Sequence, residues 1–311
     1  GRIELTGDPV WRQGSNVVRG DLLSMVRSNR SFSALGNAYV WFKADALGLP
    51  EGMGETKRKK PGTPTTTVPG AKPLPDTNQF IEVYSSRFDY QAAAADFIGD
   101  VRAHLIRESI TNLSLTTQML SLQLTSNQVT TITARRDVVL TQNPATSPNT
   151  NLVKRGATMD LLTVRRSPKT GLLETIAADG HVMADQWEKK GTNAPVHQSG
   201  RADLVVGQFN AKSNHLDGIM AERNVMVRKD GLELHGDRGT YVAGVSNRVM
   251  EMSGDVWSLG SGFLFTNAPV LLWDMKNDKV LVPPASWKLQ GPVSDWKKNS
   301  MVPKLPAPTT P

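Results

Sequence analysis

One nine-residue pattern recurs seven times along this chain of 311 residues and limits strongly what the chain can fold into. Each copy is centred on an anchor, which is Gly in five copies and Arg in two. The positions two and four residues before and after the seven anchors number 28, and 27 of them are apolar, Ser258 being the exception. Successive side chains of a β-strand point to opposite faces, so this period of two predicts strands with one apolar face. The anchors are Gly7, Gly36, Gly99, Arg136, Gly180, Arg223 and Gly254.

The residue that follows each anchor is polar in all seven copies, which predicts that it faces water. A glycine in the middle of a strand usually marks a bulge or a bend. Because Arg136 and Arg223 occupy the same position as the glycines, we do not expect the anchors to require positive φ, and we predict bends. The following residues are Asp8, Asn37, Asp100, Asp137, His181, Asn224 and Asp255.

Composition divides the chain into four parts. Residues 1–42 hold the first repeats, and residues 79–293 continue the same stack of strands. Residues 43–78 contain six prolines among Gly, Thr and Lys and are predicted to be a disordered loop, as residues 294–311 are predicted to be a disordered tail. The chain starts at Gly1 inside a strand pattern, which indicates a processed or truncated sequence, so the missing signal peptide indicates no compartment.

The remaining local patterns also favour an all-β chain. Residues 108–124 are rich in Thr and Ser, which favours a strand over a short helix, and residues 91–95 are predicted to form a turn or a strand edge. There is no run of eighteen apolar residues, so we expect no membrane span. A repeat unit of two or three strands cannot bury its apolar face alone, and stacking of the units would give a continuous interior.

The order of these short motifs resembles that of the OstA-like family. This family includes the periplasmic bridge and the inner-membrane components of lipopolysaccharide transport in Gram-negative bacteria. The resemblance covers nearly all of the chain outside the loop and the tail. It is carried by Leu5–Trp11, Arg19–Leu23 and Ala34–Ala38, and it recurs at Phe97–Val101, Ala178–Val182 and Met252–Val256.

The resemblance implies an open β-jelly roll, or β-taco, of two facing antiparallel sheets built from repeated strand units. It implies a periplasmic protein of outer membrane biogenesis that holds the acyl chains of lipopolysaccharide, or of another anionic lipid, in an apolar groove. It also implies end-to-end assembly with other OstA-like proteins, no catalytic residue and no cofactor. The residues expected to line the groove are Phe32, Ala34, Val40, Phe97, Val101, Ala134, Val138, Ile176, Ala178, Val182, Ile219, Ala221, Val225, Met250, Met252 and Val256.

The charged residues favour an anionic partner. Lys and Arg number 36 against 29 for Asp and Glu, which gives a net charge of +7. The densest basic run, Lys57–Lys60, lacks the aromatic residues of a nucleic-acid platform, so we expect no nucleic-acid partner. Arginines that could meet lipid phosphates at the rim of a groove are Arg135, Arg165, Arg166, Arg223 and Arg228.

The sequence offers little for catalysis or metal binding. It has no cysteine, and its five histidines form no close ligand pair, so neither a metal site nor thiol chemistry is expected. Three carboxylates, Asp179, Asp185 and Asp203, could serve a carbohydrate-active β-solenoid enzyme, although they cluster only at strand ends.

The sequence allows two interpretations of the apolar face. It could be an ordinary core that its own side chains fill, as in a structural scaffold that polymerises end to end without lipid. It could also be a groove with room for acyl chains, which the many small residues on this face favour. These are Ala34, Ala38, Ala103, Ala134, Ala178, Ala184 and Ala221.

Overall fold

The computed structural model describes residues 1–43, 79–91, 93–107, 109–125, 128–147, 151–189, 194–243, 249–260, 263–274, 279–281 and 288–290. In these ranges the chain forms eighteen β-strands, one 3-10 turn and no α-helix. The strands are β1 Arg2–Thr6, β2 Val10–Gln13, β3 Asn16–Arg19, β4 Leu22–Val26, β5 Ser31–Lys43, β6 Gln79–Gln91, β7 Ala94–Arg107, β8 Ile110–Thr125, β9 Gln128–Gln142, β10 Leu152–Arg166, β11 Leu173–Glu188, β12 Val196–Phe209, β13 Leu216–Lys229, β14 Leu232–Val242, β15 Val249–Gly260, β16 Phe263–Asp274, β17 Lys279–Leu281 and β18 Lys288–Gln290.

These strands form one open antiparallel sheet with a simple meander order. Each strand from β6 to β15 pairs with the strand before it and the strand after it. At one end β1 and β2 together make a single interrupted strand, which pairs with β4 and β3. At the other end β17 and β18 both pair with β16. Neighbouring strands lie about 4.8 Å apart, so the sheet extends for roughly 70 Å.

A line of backbone corners crosses the whole sheet at the anchors. The seven anchors have φ between 60° and 81°, and the seven residues after them have φ between 45° and 54°. The pairing register shifts at the same places, for example between Leu35 and Ala38 and between Asp179 and Val182. The predicted bends are therefore present. We call the seven dipeptides the corner line.

The expectation that the arginine anchors exclude positive φ is wrong, because Arg136 has φ 65° and Arg223 has φ 60°. A left-handed conformation costs a residue other than Gly about 1–2 kcal/mol, which strand pairing on both sides of the corner offsets. Arg223 is also supported by Asp203, whose carboxylate lies 3.6 Å from the guanidinium. The residues after the anchors are all Asp, Asn or His, the types that adopt this conformation most readily. Their polarity thus reflects backbone geometry as well as exposure.

The corner line divides the sheet into two half-sheets that face each other. The first half-sheet contains β1, β4 and the parts of β5, β7, β9, β11, β13 and β15 before the anchors, and the second contains β2, β3 and the parts after them. The rings of Trp11, in β2, and Phe32, before the corner of β5, lie 5.3 Å apart. Near the other end, Lys229 Nζ of the second half-sheet lies 5.5 Å from the ring of Trp273, which pairs with the first half-sheet at Met250. The same face of both half-sheets is therefore turned inward, and we call it the inner face.

The inner face carries the core. One row of directly paired residues, two positions before the anchors, crosses fourteen strands and contains Leu, Ala, Phe, Val, Gly and Met alone. Most of its members are buried, since the opposite half-sheet covers them. The row is Leu5, Leu23, Ala34, Phe88, Phe97, Leu120, Ala134, Leu162, Ala178, Val205, Ala221, Gly239, Met252 and Leu271.

Buried hydroxyl groups satisfy carbonyl oxygens that the corners leave outside the regular ladder. Thr117 is 3% exposed, and its Oγ1 lies 2.7 Å from the carbonyl oxygen of Arg135 and 3.1 Å from that of Arg136. We predict that Thr117→Val lowers the free energy of unfolding by about 1–3 kcal/mol, because the volume is kept while a buried acceptor loses its donor. Urea denaturation measures this loss. Thr117→Ser is the control that keeps the hydroxyl, and equal losses for both variants would contradict the prediction.

Several other sequence predictions have a clear outcome. The strand predicted over 108–124 is confirmed as β8, and the turn near residues 91–95 is confirmed between β6 and β7. The predicted disordered segments lie almost wholly outside the described residues, Lys43 being the last residue of β5. The described ranges contain no helix that is long and apolar enough to cross a membrane.

Candidate functional site

The sixteen residues predicted to line a groove all lie on the inner face, since direct pairing joins them into common rows. Twelve of them are buried, including Ala34, Ala134, Val138, Met252 and Val256 at 0% exposure. Phe32, Ile176 and Met250 are half-buried. Ile219 differs from the others, because it is 37% exposed. The inner face is thus sealed beside the corner line and more open away from it.

The buried interior continues across the middle of the sheet, where Val205 in β12 packs against the buried residues on both sides. One cluster of buried apolar residues runs from Val18 in β3 to Val182 in β11, and a second begins at Ala202 in β12 and reaches Val280 in β17. Around β10–β13 the inner face away from the corner line is lined by small or exposed residues, which we call the central groove. They are Ala157, Ala184, Gly200, Gly207 and Ile219.

The two glycines of the central groove differ in the space beside them. A Cβ atom added at Gly200 would meet no atom closer than the Met226 carbonyl oxygen at 3.8 Å, whereas one added at Gly207 would be in van der Waals contact with the side chains of Leu216 and Phe209 at 3.5–3.6 Å. Ala184, which pairs with Gly200, is itself exposed. The central groove is therefore an apolar surface that side chains cover at Gly207 and leave accessible at Ala184 and Ile219.

A polar row borders the central groove on the second half-sheet. Its members pair directly across five strands and include two cations, and Gln186 donates to the carboxylate of Glu188 on the same strand. Arg155 Nε donates to Gln186 Oε1 at 2.7 Å, and Arg155 Nη1 donates to Gln142 Oε1 at 3.3 Å. We call this row the polar rim: Gln142, Arg155, Gln186, Gln198 and Lys229. The sequence could have predicted that this row lies on the inner face, because each member continues the alternation of inner and outer residues along its strand.

None of the five arginines that the sequence suggested for the rim of a groove belongs to the polar rim. Arg135, Arg165 and Arg228 stand at odd offsets from the corners and lie on the outer face, and Arg223 is itself a corner residue. Arg166 is on the inner face but only 4% exposed. It donates to the carbonyl oxygens of Val129 and Gly171, and burial lowers its pKa. The parity of the strands separates these arginines from Arg155.

Short polar contacts support the corner line on the outer face. The carboxylate of Asp21 accepts from Asn37 Nδ2 at 3.2 Å, and that of Asp203 accepts from Asn224 Nδ2 at 2.9 Å. The third contact joins His181 Nδ1 to Asp160 at 2.8 Å, and this hydrogen bond raises the pKa of the fully exposed His181. Across the described ranges, no three carboxylate or imidazole groups cluster closely enough to hold a metal ion.

The three carboxylates considered for sugar cleavage have other contacts. Arg223 lies between two of them, at 3.9 Å from Asp179 and 3.6 Å from Asp203. The third, Asp185, lies 2.7 Å from Nε2 of His197, whose ring stacks on Trp187 at a centroid distance of 4.1 Å. These contacts hold all three carboxylates as ion-pair or hydrogen-bond partners on the outer face.

No protein family model matches the sequence, and no curated protein is similar to it. The inner face, the central groove and the polar rim are therefore the features that indicate a function.

Proposed function

We propose that this protein binds a lipopolysaccharide-like anionic lipid, with the acyl chains in the central groove and the phosphates at the polar rim. In this proposal the two half-sheets form an open jelly roll, or β-taco, of the OstA-like type. The protein acts in the periplasm as a carrier or conduit of lipid transport, and so takes part in outer membrane biogenesis. It performs no covalent chemistry and uses no cofactor.

The observation that carries the proposal is the accessible apolar surface of the inner face around β10–β13. A core that only stabilises the fold is filled to the density of an organic crystal, with few voids. Here Gly200 has no atom closer than 3.8 Å to an added Cβ, its partner Ala184 is exposed, and Ile219 stays 37% exposed. An apolar surface of this kind, enclosed on two sides, fits an apolar ligand.

The energetics of acyl binding suit such a groove. Burial of one methylene contributes roughly 0.8 kcal/mol, so about ten buried methylenes contribute roughly 8 kcal/mol before the costs of association. The costs of association reduce this amount, so several acyl chains bind more tightly than one. No specific polar contact is needed to hold the chain, which agrees with the apolar lining.

The polar rim supplies the contacts for an anionic head group. Arg155 and Lys229 bring two positive charges to the edge of the inner face, and the other rim members are amides that both donate and accept. Guanidinium groups bind phosphate through paired, charge-assisted hydrogen bonds. An anionic head group can add charge-assisted hydrogen bonds to Arg155 that a neutral head group cannot, so the rim favours an anionic lipid.

We predict that a photo-crosslinking residue at position 219 captures lipid when the protein is produced in a Gram-negative bacterium. Ile219 lies on the inner face, whereas the adjacent Met220 lies on the outer face of the same strand, which makes position 220 the matched control. Native mass spectrometry of both proteins after irradiation measures the added mass. A lipid adduct at 219 alone is expected. Equal labelling at both positions, or no adduct at 219, would refute the proposal.

A second function, a scaffold that polymerises without lipid, is favoured by the edge formed by β1 and β2. Ile3, Leu5 and Val10 are 42%, 49% and 45% exposed, and among the described strands β1 pairs only with β4. An unpaired edge offers hydrogen-bond partners to another strand. Oligomers that form in the absence of any lipid adduct would favour the scaffold, and end-to-end assembly with other OstA-like proteins fits both functions.

A further inference from the structure

A cleft on the outer face, near β1 and β2, is separate from the central groove. It is a shallow depression, open to solvent, with a volume of about 590 Å³. It lies beside the corner line on the second half-sheet. Four of its lining residues form one row of direct pairs across four strands, Val10, Arg19, Tyr39 and Tyr84. We call it the outer cleft, and its remaining lining residues are Asp8, Gly20, Asp21 and Asn37.

Two tyrosines form an aromatic wall of the outer cleft. The rings of Tyr39 and Tyr84 lie 5.0 Å apart, and Tyr84 is 42% exposed. Both hydroxyls donate to the carboxylate of Glu82, at 3.2 Å and 3.4 Å. Burial, together with the charge of Glu82, raises the pKa of Tyr39 to about 12. The hydroxyls therefore stay protonated at neutral pH, and Glu82 fixes the two rings as one unit.

The charged groups around this wall are mixed. Asp8 and Asp21 contribute two carboxylates, and the Arg19 guanidinium lies 5.7 Å from the centre of the Tyr39 ring. The two carboxylates disfavour an anionic ligand, and Arg19 disfavours a cationic one. Donors and acceptors next to an aromatic ring suit a neutral molecule with several hydroxyl groups and an apolar C–H face.

We propose that the outer cleft binds a short neutral saccharide. The C–H face of a sugar ring packs on Tyr84, Arg19 donates to one hydroxyl oxygen, and Asp8 accepts from a neighbouring hydroxyl. This binding is independent of the lipid in the central groove, because the outer cleft and the central groove lie on opposite faces of the sheet. It gives the protein a second ligand, of a different chemical class.

The test is a titration of the full chain with maltotriose and with the trimer of N-acetylglucosamine, followed by calorimetry. We expect one of the two trimers to bind, and Tyr84→Ala to weaken that binding at least about tenfold through loss of the stacking surface. Trp187→Ala is the matched control, since Trp187 is 36% exposed on the same outer face but lies on β11, away from the outer cleft. Its binding is expected to equal that of the unchanged protein.

A second variant keeps the test decisive if Tyr84→Ala does not fold. Asp8 has φ 54°, a conformation that Asn also adopts readily, so Asp8→Asn removes the charge without straining the backbone. It is expected to weaken trimer binding several-fold. The proposal is overturned if neither trimer binds, if a lysine trimer binds instead, or if the folded variants bind as tightly as the Trp187→Ala control.

Discussion

Gly36→Ala is expected to lower the free energy of unfolding by about 2–3 kcal/mol. Two costs combine. The backbone of Gly36 has φ +67°, which costs an alanine about 1–2 kcal/mol. The added Cβ would also lie 2.8 Å from Cγ of Asp21 and closer still to one carboxylate oxygen. Asp21 must rotate away from the added methyl group and loses its hydrogen bonds with Asn37, which costs about 1 kcal/mol.

Gly7→Ala separates the two costs. Gly7 is an anchor with φ +81°, but a Cβ added there meets no atom within 4 Å. It should therefore cost only the backbone part, about 1–2 kcal/mol. Chemical denaturation of Gly36→Ala, Asp21→Ala and the double variant completes a cycle, in which we expect a coupling of at least about 1 kcal/mol between positions 36 and 21. Equal losses for the two glycine variants would show that the contact with Asp21 has no cost.

The strands and their inner face can be predicted from short-range patterns in the sequence. Alternation of apolar residues predicts which side chains share a face, and pairing places all sixteen predicted groove residues on one face. The bends at the anchors were predictable for the same reason. The positive φ at Arg136 could not be predicted from the arginine itself. The residue type that indicates it is the next one, Asp137, which also has positive φ. The restriction of that position to Asp, Asn and His in all seven copies is the pattern that indicates it.

The features that define the central groove depend on contacts that alternation cannot predict. The two half-sheets cover each other because the sheet folds at the corner line, and the contact between Trp11 and Phe32 joins them. The open part of the inner face appears only when Ala184, Gly200 and Ile219, from three different strands, are brought together by pairing. Charge alone suggested Arg228 for the rim, whereas strand parity selects Arg155. Long-range register therefore determines the site, while local pattern determines the strands.

Gly200→Phe is expected to weaken binding of purified lipid A at least about tenfold while the fold is kept. The open space beside Gly200 accepts a side chain, since the nearest atom to an added Cβ is 3.8 Å away. A phenyl ring there occupies room that about two acyl methylenes would otherwise fill. Their loss removes roughly 1.6 kcal/mol of apolar burial, which corresponds to a little more than a tenfold change in the dissociation constant.

Ser199→Phe is the control for this variant, because Ser199 precedes Gly200 in β12 and lies on the outer face opposite Asp185. The same ring is added to the same strand, so differences in lipid binding between the two variants arise from the face that carries it. The melting temperature of Gly200→Phe should equal or exceed that of the unchanged protein, since glycine weakens a strand interior. Two outcomes would contradict a lipid in the central groove. One is unchanged lipid A binding by a folded Gly200→Phe, and the other is an equal loss in Ser199→Phe. A groove filled by its own side chains would instead reject the ring at position 200, and that variant would unfold before its lipid binding could change.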